Sequence, residues 1–201
     1  MPETTRRREI EDVASSLFRE RGYAGTSVRD IARALDIQGA SLYAHMTSKE
    51  DVLWAIVERM ADRFDAAAEA ALTDDAPVVG PGSRLAALVA AHVTVVTEDL
   101  QRAGVFIGEW RSLDDGHRAT IAGRRDAYER RFRAIIEEGV ATGSFAAVDP
   151  AVAAAVILTA LNGIVEWYRP DGRVGPADLA EACADLAVRA VLAVDGPSPS
   201  D

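Results

Sequence analysis

Residues 27–46 read SVRDIARALDIQGASLYAHM, and their spacing predicts two short helices joined by a tight turn. Ser27 suits a helix cap, Asp30 three residues on completes a capping box, and Val28, Ile31, Ala32 and Leu35 recur on one narrow apolar face. Asp36 tolerates the turn better than a β-branched residue would, and Ile37 plugs the corner. A second helix follows over residues 39–45, barely two turns long. A helix that short is not a core element by itself.

On this second helix Leu42 points inward, which leaves Gln38, Gly39, Ala40, Ser41, Tyr43 and His45 outward. The outward surface is small and uncharged, with polar tips. Small residues allow close approach to base edges, and Gln or Ser can hydrogen-bond them, so the face suits the major groove of double-stranded DNA. The competing reading is a surface helix of an unrelated bundle.

The run Gly25-Thr26-Ser27-Val28-Arg29-Asp30-Ile31-Ala32, then Ser41-Leu42-Tyr43-Ala44-His45-Met46 and Ser48-Lys49-Glu50-Asp51-Val52-Leu53, resembles the helix-turn-helix domain of TetR-type transcriptional regulators. The resemblance spans roughly Glu9 to Met60. It implies that Thr26, Tyr43, His45 and Lys49 touch phosphates and that Gln38, Gly39, Ala40 and Ser41 face bases. Three positions depart from the family's usual pattern: Asp36 stands where Gly is common, Gln38 where Ser is, and Met46 where Phe is. Met46 still fills an apolar slot, so the departures bear on base preference and not on fold.

Outward from this motif, 201 residues with 49% apolar content can bury a core and make one domain with a small appended one. The longest apolar run, Ala151 to Val165, falls short of the roughly 20 residues that span a bilayer, and the charged stretch Met1 to Arg21 does not read as a signal peptide. The expectation is a cytoplasmic protein with no membrane partner. The single cysteine, Cys183, excludes an internal disulfide framework and reads as packing on its helix.

The net charge of −10 looks wrong for a protein that approaches DNA, so its distribution matters. Residues 1–50 hold 8 basic and 8 acidic side chains, and the acidity lies entirely in the remainder. An acidic body repels DNA except where the neutral head docks, which favours one orientation. Arg6, Arg7 and Arg8 form an N-terminal arm that either reaches a neighbouring minor groove or hangs in solvent.

Ile10, Val13, Ala14, Leu17 and Phe18 give a first helix that ends at Gly22 and supports the motif. Thr47 or Ser48 caps a fourth helix, with Glu50 or Asp51 as box partner, and Val52, Ile56, Met60, Phe64 and Ala67 stripe it to about Leu72. Lys49, the only lysine, sits in its first turn, where an amine and free amide groups suit a phosphate. Thr73 to Gly82 breaks the pattern with prolines, glycines and paired aspartates. The division is therefore 1–50 (helix-turn-helix domain, motif 27–46), 51–72 (linking helix), 83–194 (ligand-binding and dimerisation domain) and 195–201 (a disordered Pro/Ser tail).

In the body, Leu85, Leu88, Val89, His92 and Val96 mark a helix from Ser83 to about Leu100. Val105, Phe106, Trp110 and Leu113 mark a shorter one. Ile121, Arg125, Tyr128, Phe132, Ile135 and Ile136 mark a long one ending near Gly143. His92 is either a satisfied core residue or a ligand contact, and the aromatics Phe106, Trp110, Tyr128 and Phe132 are either core or the lining of a ligand cavity. Asp149-Pro150 is a strong helix start. The uncharged run behind it is apolar on every face, so it must be buried on two sides, one of them in a partner. A last helix opens at Pro176 with Leu179, Ala182, Cys183, Leu186, Ala190 and Val191 on one face. Two such helices from each of two chains make a four-helix homodimer interface, placed at Ala153, Ala160, Gly163, Ile164, Leu179 and Leu186.

The fold expected is all-α: an N-terminal three-helix DNA-binding domain and a C-terminal helical domain, about nine helices in all. For catalysis, His45, His92 and His117 lie far apart, and none has a second histidine or cysteine at helical spacing. No enzyme, metal or cofactor is therefore expected. A helical interaction module without DNA binding is the remaining rival, and it leaves the face from Gln38 to His45 without a purpose.

The body carries a looser resemblance. Residues 106–110, 128–132, 161–163 and 167–168 are similar to the branch of TetR-type regulators that controls fatty-acid, aromatic-acid or steroid breakdown and responds to acyl-CoA thioesters. It implies a repressor released from a palindromic operator by a small-molecule effector of that class. The alternative effector is uncharged and hydrophobic, such as a drug. Residues 102–133 hold eight arginines against five acids. Either these are a solvated face laced by pairs such as Asp126 with Arg130, or Arg124 and Arg125 hold an anionic ligand near the aromatics, with Asn162 and Trp167 setting selectivity.

Overall fold

The computed structural model describes residues 2–73 and 80–192, with all side chains among them except those of residues 2–5, 39 and 40. The described residues form α1 (Pro2–Arg21), α2 (Val28–Ala34), α3 (Gly39–Leu42), α4 (Lys49–Leu72), α5 (Pro81–Glu98), α6 (Leu100–Gly108), a 3-10 turn (Trp110–Ser112), α7 (Asp115–Ala141), α8 (Pro150–Asn162), α9 (Ile164–Trp167) and α10 (Pro176–Val191). Eight of these helices have seven residues or more, and the fold is all-α as expected. Of the segments read from sequence, the centre of the break between α4 and α5 and the tail 195–201 lie outside the described residues.

The chain forms two compact units. The first comprises the chain up to Arg63 together with Asp99–Arg125; the second comprises Phe64–Glu98 and the chain from Asp126 onward. Both α4 and α7 therefore run through the two units.

In the first unit α1 packs on α2 and α6, and α2 on α3. Ile10, Phe18, Ile31, Leu42, Leu53, Ile56 and Met60 are fully buried there, each large side chain contributing about 1.5–3 kcal/mol by its removal from water. Gly22, at φ +75°, ends α1 in the left-handed conformation that glycine adopts without steric penalty. Arg6 to Arg8 belong to α1 and do not form an extended arm. Arg6 pairs with Glu9 at 2.6 Å, and Arg7 lies 3.6 Å from Glu11, so helical spacing satisfies two of the three arginines locally.

In the second unit α5 packs on α8, α9 and α10. Leu85, Leu88, Phe132, Ile135 and Ile136 form its interior. Phe145 lies across Gly139, where any Cβ would collide with its ring, and it bridges to Leu192 in antiparallel fashion. Asp149 caps α8 by accepting from the amides of Ala151 and Val152, as Asp149-Pro150 predicts. α5 starts at Pro81 instead of Ser83 and stops at Glu98, because Asp99 leaves the helical conformation to cap α6.

The apolar run after Pro150 is not one helix, since Gly163 separates α8 from α9. By length and composition Pro150–Trp167 is long and apolar enough to cross a membrane, with a mean hydropathy of 1.5, a test that a core helix also passes. Within one chain it buries a single face through Ala154, Ile157, Leu161, Ile164 and Val165, while Val152 and Val156 are exposed. The face of α10 also differs from expectation. Leu179, Ala180, Ala184, Ala187 and Val191 point inward and Leu186 outward, so Ala182 and Ala190 lie on the solvent side and Cys183 is half-buried. Ile164 and Leu179, placed in the interface from sequence, are core residues of their own chain.

Candidate DNA-reading face

The site begins with the cap of α2. Ser27 Oγ accepts from the Asp30 amide at 3.2 Å, and the Asp30 carboxylate accepts from the Ser27 amide at 2.9 Å, which closes the capping box. The Ser27 hydroxyl also donates to Asp30 at 2.5 Å, and it holds that carboxyl below its usual range, with the Ser27 amide adding to the effect. Asp36 adopts φ +54° at the turn, a conformation Asp tolerates better than most residues. The Ile37 amide then donates to Ala32 O at 3.0 Å, which fixes the direction of α3.

Only Gly39–Leu42 is helical; residues 43–45 form a turn, so the second helix is shorter than its sequence suggests. Leu42 is fully buried and anchors it. Gln38, Ser41 and Tyr43 are exposed side by side along the chain, and Gly39 and Ala40 form the first residues of the helix between them.

Three phosphate contacts implied by resemblance look different in the structure. Thr26 is 1% exposed and its hydroxyl donates to Gly22 O at 2.9 Å and Leu17 O at 3.3 Å, so that side chain braces the end of α1 and faces away from solvent. His45 is half-buried with Nδ1 enclosed, in a small recess lined by Arg7, Ile10 and Glu11, so it is not an outward residue. The Lys49 ammonium donates to Tyr23 O at 2.7 Å and Thr26 O at 2.8 Å. Burial lowers its pKa from the ordinary lysine value.

A brace that sequence reading missed lies behind this face. Glu11, 1% exposed on α1, pairs with Arg59 of α4 at 2.9 Å, and Arg102 of α6 joins Asp12 of α1 and Asp99. Burial raises the Glu11 pKa, against the pull of Arg59, Arg102 and Arg7. Acid and base stand 48 residues apart for Glu11 and Arg59, a spacing that carries no local signal.

The residues proposed for a ligand pocket divide between the units. In the first, Phe106 is buried, and the Arg125 guanidinium lies 5.2 Å from its ring and 5.3 Å from that of Trp110. Arg124 pairs with Asp62 at 2.8 Å. Trp110 borders an open recess of about 490 Å³ lined with Arg111, Asp115 and Arg118.

In the second unit His92 is buried with Nδ1 3.2 Å from the Tyr128 hydroxyl, and Phe64 and Phe132 complete an aromatic cluster. Burial pushes the Tyr128 phenol well above its usual range. Asn162 is half-buried. Trp167 is 57% exposed and packs edge-on against Tyr168, so it does not line an interior pocket; Tyr168 is the buried aromatic of the pair.

Comparison with known proteins agrees with this architecture. Residues 10–56 match the family described as bacterial regulatory proteins, tetR family, and residues 79–191 match the tetracyclin repressor-like C-terminal domain. The HTH-type transcriptional repressor KstR2 of Rhodococcus jostii (strain RHA1) is 31% identical over 173 residues, covering 84% of this chain and 82% of that protein. A bacterial regulatory protein of the tetR family from Rhodococcus RHA1 is 32% identical with a TM-score of 0.82, covering 94% of this chain and 98% of its own. AibR, solved in complex with isovaleryl coenzyme A and operator DNA, is 30% identical with a TM-score of 0.78, covering 93% of this chain and 98% of its own. These are regulators, not a class of enzymes. A capped helix-turn-helix at the N-terminus and a helical body, each matched by its own family profile, make this chain a member of the TetR family of DNA-binding transcriptional regulators.

Proposed function

We propose that the protein is a repressor that binds a palindromic operator as a homodimer and is released by an acyl thioester of coenzyme A. The observation that carries the reading is the exposed face of Gln38, Ser41 and Tyr43 on a helix anchored by buried Leu42. Gln38 and Ser41 read base edges, Tyr43 contacts a phosphate, and the rigid cap of α2 sets their register.

A second copy of the chain covers the outward side of α8, α9 and α10. Val152 and Val156 stand one turn apart on α8, Trp167 on α9 and Leu186 on α10, each more than half exposed in the single chain. Two copies related by a two-fold axis present two heads, and their operator carries the same symmetry.

For the effector, the support is the similarity to AibR together with the recess beside Trp110. Arg111, 4.5 Å from the Trp110 ring centroid, and Arg118, which pairs with Asp115 at 2.6 Å, offer guanidinium groups to phosphates. An effector that prefers the released arrangement a hundredfold supplies about 2.7 kcal/mol of coupling. In a gel-shift titration, an acyl-CoA at micromolar concentration should release the operator complex, whereas free acid or CoA alone should not. Arg111→Ala with Arg118→Ala should blunt the response at unchanged DNA affinity. A panel of acyl-CoAs without effect on operator binding would overturn this assignment in favour of an uncharged effector.

A further inference from the structure

Three side chains in the first unit converge with no part in the reading face. Glu50 stands in the first turn of α4, Asp114 in the turn before α7, and His117 in the first turn of α7. His117 Nδ1 lies 2.9 Å from Glu50 Oε1 and 3.1 Å from Asp114 Oδ2, although Glu50 is 67 residues away in sequence. The imidazole is stacked on Trp54, one turn along α4 from Glu50, at 4.0 Å between centroids and 14° between planes. The Asp114 carboxylate is held as well, since its second oxygen accepts from the His117 amide at 2.9 Å. Stacking on Trp54 thus fixes the plane of the imidazole, and the His117 amide fixes the Asp114 carboxylate.

We propose that Glu50, Asp114 and His117 bind a divalent first-row transition ion of the Zn²⁺ class. One imidazole nitrogen and two carboxylate oxygens are its ordinary ligands, and the three donor atoms lie within 4.8 Å of one another. Bond lengths of about 2.0–2.2 Å in a tetrahedron put neighbouring ligand atoms roughly 3.4 Å apart. The two nitrogen–oxygen separations, 2.9 and 3.1 Å, are a few tenths of an ångström shorter, as fits a proton on Nδ1 shared with the two carboxylates. Metal binding displaces that proton and opens the group slightly. The residues are half-buried or exposed, so water completes the coordination and the ion has a route in. A nitrogen donor and only two carboxylates disfavour Mg²⁺, which requires near-octahedral oxygen.

The ion would tie the start of α7 to the first turn of α4, immediately after Lys49, whose ammonium holds the carbonyls of Tyr23 and Thr26. Metal occupancy would then stiffen the segment that leads out of the DNA-reading motif, a consequence that rests on the function proposed above, whereas the binding itself does not.

The test is titration of the full chain with Co²⁺, read by visible absorption, and with Zn²⁺, read by melting temperature. The site predicts an intense tetrahedral Co²⁺ band that Zn²⁺ removes, a rise in melting temperature with Zn²⁺ but not with Mg²⁺, and loss of both signals in His117→Ala and in Asp114→Asn. Absence of the band in the unmodified protein would overturn the proposal, as would signals that persist in both variants. Asp114→Asn keeps the cap acceptor of α7, so a folded variant remains available if His117→Ala melts early. None of these readouts involves DNA or acyl-CoA, so failure here leaves the regulator reading intact.

Discussion

Lys49 Nζ lies 4.0 Å from the centroid of the Tyr23 ring and 2.7 Å from the Tyr23 carbonyl oxygen, which binds the chain's one lysine to the turn that leads into α2. The first duty of this side chain is to hold the reading motif against α4. Lys49→Ala removes two charge-assisted hydrogen bonds and a cation–π contact, and should destabilise the fold by about 2 kcal/mol. Denaturant unfolding measures this. A variant of unchanged stability but weakened DNA affinity would place the ammonium on a phosphate instead.

Thr26 and Tyr43 should separate cleanly. Thr26→Val leaves the carbonyls of Leu17 and Gly22 without their hydroxyl donor and should lower stability by about 1 kcal/mol, while DNA affinity at low temperature stays unchanged. Tyr43→Ala should do the reverse, weakening binding to all duplexes alike without a change in melting temperature. Anisotropy titrations paired with melts decide between them.

The capping box makes α2 sensitive to acid. The Ser27 hydroxyl and amide hold the Asp30 carboxyl below its ordinary value, so its contribution is fully present above that ordinary value. The contribution is lost as pH falls through the lower, folded-state value. Asp30→Asn should therefore reduce stability near neutrality and flatten the loss of stability below about pH 4. A variant whose acid limb is as steep as that of the unmodified protein would contradict the assignment.

The outward faces of α8 and α10 should hold the dimer together. Val156→Arg with Leu186→Arg adds charges at positions exposed in the single chain, so each chain should still fold. Two unpaired charges from each copy, buried between them, should cost several kcal/mol and yield monomers in sedimentation. Dimers of undiminished affinity would move the interface elsewhere.

What the sequence made legible was local chemistry. The Ser27–Asp30 box and the Asp149-Pro150 start need only neighbours within three residues, and both form where expected. What it left hidden depends on distant partners. The resemblance implies a phosphate contact for Thr26, yet its buried hydroxyl donates to Gly22 four residues back and to Leu17 nine residues back, and only the first of these stands at a local spacing. Alanine-rich α10 misled for another reason: small residues mark a buried face weakly, so Leu186 drew the apolar stripe to the wrong side. Trp167 misled in the same way, because size alone assigns an aromatic to the interior and a partner surface serves equally well. In the His117 group only Asp114, three residues back, stands at helical spacing, and by itself it reads as an ordinary helix cap; Glu50, 67 residues away, leaves no local signal.

The central claim is that the face of Gln38, Ser41 and Tyr43, carried twice by a dimer, reads DNA. Selection of bound duplexes from a random pool by the full chain tests it most directly. The account predicts enrichment of an inverted repeat, and a changed half-site when Gln38 or Ser41 is substituted. Enrichment of no sequence, or of the same half-site by the Gln38 and Ser41 variants, would contradict it.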